Sequence, residues 1–333
     1  MTPFHRAAQR LLWAQTALND PLFKLESASS DASFRSYWRG YSDGRTWIVM
    51  DAPPDKEDTG PWLAMARRLT DAGLHAPEIR AVDEENGFVL MSDLGVRLFL
   101  PELNERTADE LYGQALDALL QMQTRLPSQD LPAYDEQRLT AEMELMPTWF
   151  FERHLGFTPS CEQWDVIELA FRKLLDSAGR QAQAFVHRDY HSRNLLISES
   201  GQPGILDFQD AVHGPITYDL VSLLRDCYIA WPDDRVEAWV EAYRQRAETA
   251  GLTTGSPAQF LQAFDLMGLQ RHIKVLGIFC RLYYRDGKSG YLGDLPLVWE
   301  YTRRIGRKYP ETAPLIELIE HAIGTRDITL PSA

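Results

Sequence analysis

Two short polar motifs, HRDYHSRN at 187–194 and DFQD at 207–210, sit among the few strand-like pieces in an otherwise helical stretch of this 333-residue chain. The pieces AQAFVH, NLLIS and PGILDF are short and apolar, whereas the rest of the chain after Leu94 carries helical periodicity. Helices are expected over 107–124, 136–154, 162–178, 233–249, 258–284 and 312–323. The first hundred residues read differently. A helix over 4–18, with apolar positions at Phe4, Ala8, Leu11, Leu12 and Leu18, precedes aromatic and β-branched segments at 34–38 and 46–50. A loop, DAPPDKEDTG, leads to a helix opened by Pro61 and stopped near Gly73, then to strands near 78–82 and 87–91. A small β-rich lobe before a larger helical one predicts a bilobal α+β chain, divided into residues 1–93 and 94–333. The length is too great for one compact core, which agrees.

Composition narrows the partners. The chain has 34 basic and 48 acidic residues, a net charge of −14. Binding to nucleic acid needs clustered Lys and Arg, so no nucleic-acid partner is expected. No apolar run approaches the roughly 20 residues of a membrane span, and no signal peptide is evident at the N-terminus. Cys161, Cys227 and Cys280 are widely spaced and form no CxxC pair. Reduced thiols in a cytoplasmic protein are the plain reading. The oligomeric state is not legible.

The motifs fit phosphoryl transfer, which needs few parts: a carboxylate to orient the attacking hydroxyl, metal ions between the phosphates, and positive charge around a loose transition state. Asp189 is the candidate hydroxyl-orienting base. Asn194 and Asp207 offer an amide oxygen and a carboxylate, hard ligands that suit Mg²⁺ beside the phosphates of ATP. The order matches the HRDLxxxN and DFG pattern of protein kinases, except that Gln209 replaces the glycine. Asp189, Asn194 and Asp207 could instead be loop caps. His187 is expected to brace the loop, and His191 either faces the acceptor or is a surface loop residue.

HRDYHSRNLL followed by GILDFQDAVHGPITYDLVSLLRD resembles the aminoglycoside phosphotransferase and choline kinase group. The resemblance implies a protein-kinase-like fold, a nucleotide-binding first lobe and a catalytic, substrate-binding second lobe. It makes Asp219 a structural residue and Asp210 a second acidic residue after the metal ligand. SSDASFRSYWR, WIVMDAPPDKED and QRHIKVLGIFCRLYYRDGK are similar to segments of the bacterial anomeric sugar kinases of cell-wall recycling. That likeness covers nearly the whole chain. It implies transfer from ATP to the C1 hydroxyl of N-acetylmuramate or N-acetylglucosamine.

Two departures from the kinase template stand out. Met50 falls where a third-strand Lys would contact the phosphates, and the next helix lacks the Glu that would hold it. Arg35 and Lys56 are the replacement candidates, since Arg can grip phosphate bidentately; the alternative for each is an exposed charge. The turn SSDASF has no glycine, but Ser30, Ala32 and Ser33 are small enough to let backbone N–H groups approach phosphate oxygens. By resemblance, the backbone near Met91 is where an adenine edge would pair.

On the helix over 258–284, at roughly 100° per residue, Arg271, Lys274, Arg281 and Arg285 share an arc of about 80°. The stripe either attracts an anionic amino sugar or is a solvated face. His272, on the adjoining apolar side, is a substrate contact or a hydrogen-bonded core histidine. Three functions remain open: a kinase for an anomeric sugar hydroxyl, a kinase for another small alcohol such as an aminoglycoside, choline or homoserine, and a nucleotide-binding pseudokinase.

Overall fold

The structure, a computed structural model, describes residues 3–30 and 34–331. In chain order the elements are α1 (Pro3–Leu18), β1 (Glu26–Ser30), β2 (Ser36–Ser42), β3 (Arg45–Asp51), α2 (Gly60–Asp71), β4 (Ile79–Asp83), β5 (Phe88–Ser92), α3 (Phe99–Glu102) and α4 (Ala108–Arg125). Then come α5 (Glu136–Met143), a segment of wide π-type turns (Met146–Leu155), α6 (Cys161–Gly179), β6 (Gln183–Val186), β7 (Leu195–Leu196), β8 (Gly204–Ile205) and β9 (Val212–Pro215). The chain closes with α7 (Tyr218–Leu224), α8 (Asp233–Thr249), α9 (Pro257–Tyr284), a 3₁₀ turn (Ser289–Asp294), α10 (Leu295–Lys308) and α11 (Ala313–Ile323).

These elements form two compact units. One comprises residues 1–122 with 193–209, the other 123–192 with 210–333. The division expected at 93/94 therefore differs from the one observed. The β7–β8 hairpin returns to the first unit, where the amide of Ile205 donates to the His75 carbonyl and that of Ile197 to the Arg97 carbonyl.

The first unit is built on an antiparallel sheet in the order β1-β2-β3-β5-β4. Side chains alternate across it. Trp38, Val49 and Leu90 turn to one face and pack with Ala14 and Phe23, which brings α1 onto the sheet. Arg6 and Arg10 of α1 fix its position by pairing with the two oxygens of Asp51 at 2.6 and 2.7 Å.

The second unit is helical, around a core that includes Phe150, Phe151, Ile167, Leu174, Leu269, Ile273, Leu276, Ile316 and Ile319. Each fully buried side chain of this kind contributes roughly 1.5–3 kcal/mol. Helices α6 and α9 begin with capping boxes, Ser160 with Gln163 and Ser256 with Gln259. Gly277 lets α9 cross closely: a Cβ there would stand 2.3 Å from the backbone carbon of Leu145. The single helix expected over 136–154 is broken. Pro147 lacks an N–H, and its ring collides with the carbonyl four residues earlier, that of Met143, where α5 ends. Helix α10 was not anticipated, because Gly293, Pro296 and Gly306 mask the apolar spacing of Leu295, Val298, Tyr301 and Ile305. All three cysteines are free. No helix among the described residues is long and apolar enough to cross a membrane.

Candidate active site

The residues singled out by sequence fall in both units. In the first, Tyr37, Arg39, Ile48 and Met91 share the sheet face opposite α1. They line a cavity of about 480 Å³ together with Leu196, Leu206 and Phe208 of the hairpin region, and Asn194 and Asp207 lie on its wall. Hairpin geometry brings these last two together, for Leu195 pairs with Ile205 and the amide of Leu206 donates to the Asn194 carbonyl at 3.0 Å. Met91 lies on β5 in this wall, paired with Ile48 of β3 and Ile79 of β4. The linker just beyond it is clamped: Arg39 donates to both oxygens of Asp93, at 2.6 and 2.9 Å, and to the Gly95 carbonyl at 3.0 Å. Burial works to raise the Asp93 carboxyl, but Arg39 together with hydrogen bonds from the Gly95 amide and Thr46 outweighs it and holds the group below its ordinary range.

Asp207 adopts a left-handed backbone, φ 60°, a region where aspartate is tolerated better than most residues. Gln209, the departure from the kinase glycine, donates to the Asp207 carboxylate at 2.9 Å. Buried Arg35 stands between two carboxylates, its Nε 3.2 Å from Glu57 and its Nη2 3.8 Å from Asp207. Met50, at the template's lysine position, is wholly buried. The Arg35–Glu57 pair thus supplies a cation held by a carboxylate, but from the β1–β2 connection and a loop. Sequence reasoning missed Glu57 because the template expects its glutamate on the following helix. Lys56 lies over the Phe34 ring at 4.8 Å. Ala32 and Ser33 lie outside the described residues, and Ser30 is described only as a β1 backbone position paired with Ser36.

Among the described residues no cluster of three or more His, Cys, Asp or Glu side chains forms a metal cage. Asn194 and Asp207 fit Mg²⁺ in a different sense. They are hard oxygen donors on one hairpin, and this ion takes one or two protein ligands and completes its shell with phosphates and water.

In the second unit Asp189 sits on the loop after β6. His187 is fully buried, and its Nδ1 accepts the Asp189 amide at 3.3 Å, so it braces the loop as its position suggested. Asp219 takes the amides of His187 and Arg188 at 2.6 and 3.0 Å. Burial pushes the Asp219 carboxyl up to about 7 even against these hydrogen bonds. Burial also acts to raise Asp189, but the charge of Lys274, then His191, His187 and Arg188, outweighs it and keeps the carboxyl below its usual range. His191 is half-buried, with its ring edge-on to Tyr228 at 5.6 Å between centroids. Asp210 is exposed.

The basic stripe of α9 resolves into different environments. Arg271 is buried and donates to the Cys227 sulfur at 3.2 Å, and Lys274 is buried against Glu142 and Tyr218. Arg285 is exposed and pairs with Asp286. His272 is the core histidine: fully buried, it stacks on Tyr301 at 4.9 Å and makes a 3.0 Å hydrogen bond to the Arg225 carbonyl. Burial drives its pKa down to about 3. Arg271 and His272 are thus both buried rather than on a solvated face. A helical wheel reports angular position, not what other segments pack upon it. Glu142, which pairs with Arg188 at 2.6 Å and Lys274 at 2.9 Å, carries no motif and was not anticipated.

The sequence profile of the phosphotransferase enzyme family matches residues 24–258. The N-acetylmuramate/N-acetylglucosamine kinase of Pseudomonas aeruginosa is 47% identical over 300 residues, 90% of this chain and 88% of that protein. The protein of the same name from Pseudomonas putida is 44% identical over 326 residues, 94% and 96%. An aminoglycoside phosphotransferase of the 2''-Ib type, solved with ADP, superposes with a TM-score of 0.60 at 15% identity, over 90% of this chain and 98% of that one. At that identity the likeness is one of fold.

Proposed function

The chain belongs to the phosphotransferase enzyme family, and from that premise we propose that it transfers the γ-phosphate of ATP to the C1 hydroxyl of N-acetylmuramate, N-acetylglucosamine or both. One observation carries the choice of acceptor: the similarity along nearly the full length to two kinases named for these sugars. The aminoglycoside enzyme shares only the fold.

The first unit takes the nucleotide. The purine enters the cavity beside Met91 and the clamped linker, and Arg35, held by Glu57, offers its guanidinium to phosphate oxygens. Asn194 and Asp207 would hold Mg²⁺, which would supply positive charge to the transferring phosphoryl group. The second unit prepares the acceptor. Asp189 orients the C1 hydroxyl and accepts its proton as the oxygen–phosphorus bond forms and the bond to the bridging oxygen of ADP breaks. C1 is a hemiacetal carbon, so its hydroxyl is more acidic than that of an ordinary sugar alcohol. A carboxylate held below its usual range is a weak base, and such a hydroxyl suits it. ATP and these sugars meet in the cytoplasm during recovery of cell-wall material, and there the enzyme acts.

The test is incubation with ATP and Mg²⁺ and each of N-acetylmuramate, N-acetylglucosamine, their 1-O-methyl glycosides, kanamycin and choline, followed by phosphorus NMR. The two free sugars should give sugar 1-phosphates and the glycosides nothing. Phosphorylation of a 1-O-methyl glycoside rules out C1 as the sole acceptor, and a preference for kanamycin or choline rules out the sugar.

A further inference from the structure

We propose that Lys274 is a positioning residue for phosphoryl transfer, acting with Glu142 to hold Arg188 and the Asp189 carboxylate that follows it. The inference rests on the reading of Asp189 as the group that activates the acceptor.

A buried lysine is rare and costly without partners. Lys274 has two close ones, the Glu142 carboxylate at 2.9 Å and the Tyr218 hydroxyl at 3.0 Å. The Glu142 oxygen that meets Lys274 also accepts Arg188 at 2.6 Å, and its other oxygen accepts the Tyr134 hydroxyl. One carboxylate therefore joins α5, the catalytic loop and α9. The circuit closes on itself, since Tyr218 is followed by Asp219, whose oxygens take the amides of His187 and Arg188.

Such restraint has a purpose at Arg188. Its backbone is left-handed, φ 76°, although it is not glycine. A conformation of this kind is strained and persists only where the surroundings over-determine it. Asp219 fixes the backbone and Glu142 the side chain, and the next residue is Asp189. Charge leads to the same place. Arg188 and Lys274 bring two positive charges to one dedicated anion, Glu142. The remaining positive charge is felt at Asp189, where burial acts to raise the carboxyl and Lys274 leads the charges that lower it. Without Lys274, the Glu142 carboxylate that holds Arg188 would lose its second cation, and Asp189 would lose the leading charge that lowers it.

The experiment compares Lys274→Met, Lys274→Arg, Glu142→Gln and the Lys274→Met, Glu142→Gln double variant with wild type. Circular dichroism and thermal melting check folding, and kcat and the KM for ATP are measured for each. Lys274→Met should lower kcat on the order of 10²-fold, the scale of a misplaced catalytic group, with the KM for ATP unchanged. Lys274→Arg should recover most of the loss. The double variant should lose little more than the worse single one, because the two residues act as a unit. A natively folded Lys274→Met enzyme with wild-type kcat overturns the proposal, as do losses that multiply independently. Should Lys274→Met not fold, Lys274→Gln and Glu142→Gln decide by the same criterion. Asp189→Asn is run in parallel. If it retains full turnover, the reading of Asp189 falls and this proposal with it; if it is inactive while Lys274→Met is not, the positioning role alone falls.

Discussion

The two units bring their candidate residues to chemistry in opposite ways. In the first, Asn194 and Asp207 edge a largely apolar cavity whose wall is set by sheet alternation, and charge sits in two small groups, Arg39–Asp93 and Arg35–Glu57–Asp207. In the second, Asp189 rests on a buried set of ion pairs and hydrogen bonds drawn from α5, α7, α9 and its own loop. Recognition of a large planar base is a matter of shape, for which aliphatic and aromatic side chains suffice. Aiming one carboxylate at a hydroxyl is a matter of preorganised electrostatics, and it needs fixed charges that do not reorganise during the reaction.

The sharpest way to break this contrast is to substitute one carboxylate from each side. Asp189→Asn should lower kcat by on the order of 10²–10⁴-fold, the usual span for a general base, while ATP still binds in equilibrium titrations. Loss of ATP binding in that variant would dissolve the division of labour. Asp207→Ala should do the reverse and abolish Mg²⁺-dependent ATP binding. Asn194→Ala should give a milder form of the same defect, because an amide gives the ion a dipole where a carboxylate gives it a charge. Equal Mg²⁺ titrations for wild type and Asp207→Ala would remove Asp207 as a ligand.

The last effect concerns stability. The Asp219 carboxyl sits at about 7 in the folded chain against an ordinary 3.8, so folding takes up a proton between those values. Its stabilising contribution is complete below pH 3.8 and is lost as pH rises through about 7. Thermal melting of wild type minus Asp219→Asn across that window should show this decline, and a flat difference would contradict it.

The sequence carried the fold class and the motif residues, because both depend on local pattern. Alternation marked the strands, periodicity marked most helices, and the spacing of Asp189, Asn194 and Asp207 stated a chemistry. Features that depend on distant segments were illegible. Arg271 and Lys274 looked like a surface stripe because Cys227, Glu142 and Tyr218, which bury them, lie 44, 132 and 56 residues away. Glu57 was hidden in a loop that the kinase template leaves empty. The break at Met143 was readable in principle from Pro147, but helical periodicity on either side of it outweighed the proline in the expectation.

The discontinuity of the first unit has a consequence for how the molecule is made. A chain leaving the ribosome has released its first 122 residues long before residues 193–209 appear. During that interval the sheet face bearing Tyr37, Ile48 and Met91 lacks Leu196, Leu206 and Phe208, which share its cavity in the finished unit. The nascent protein must carry that apolar face uncovered while the 70 residues from 123 to 192 are synthesised, and exposed surface of this kind invites chaperones and aggregation. The hairpin that bears Asn194 and Asp207 is also the piece that ends the wait, so completion of the first unit and acquisition of its candidate metal ligands are a single event in the life of the chain.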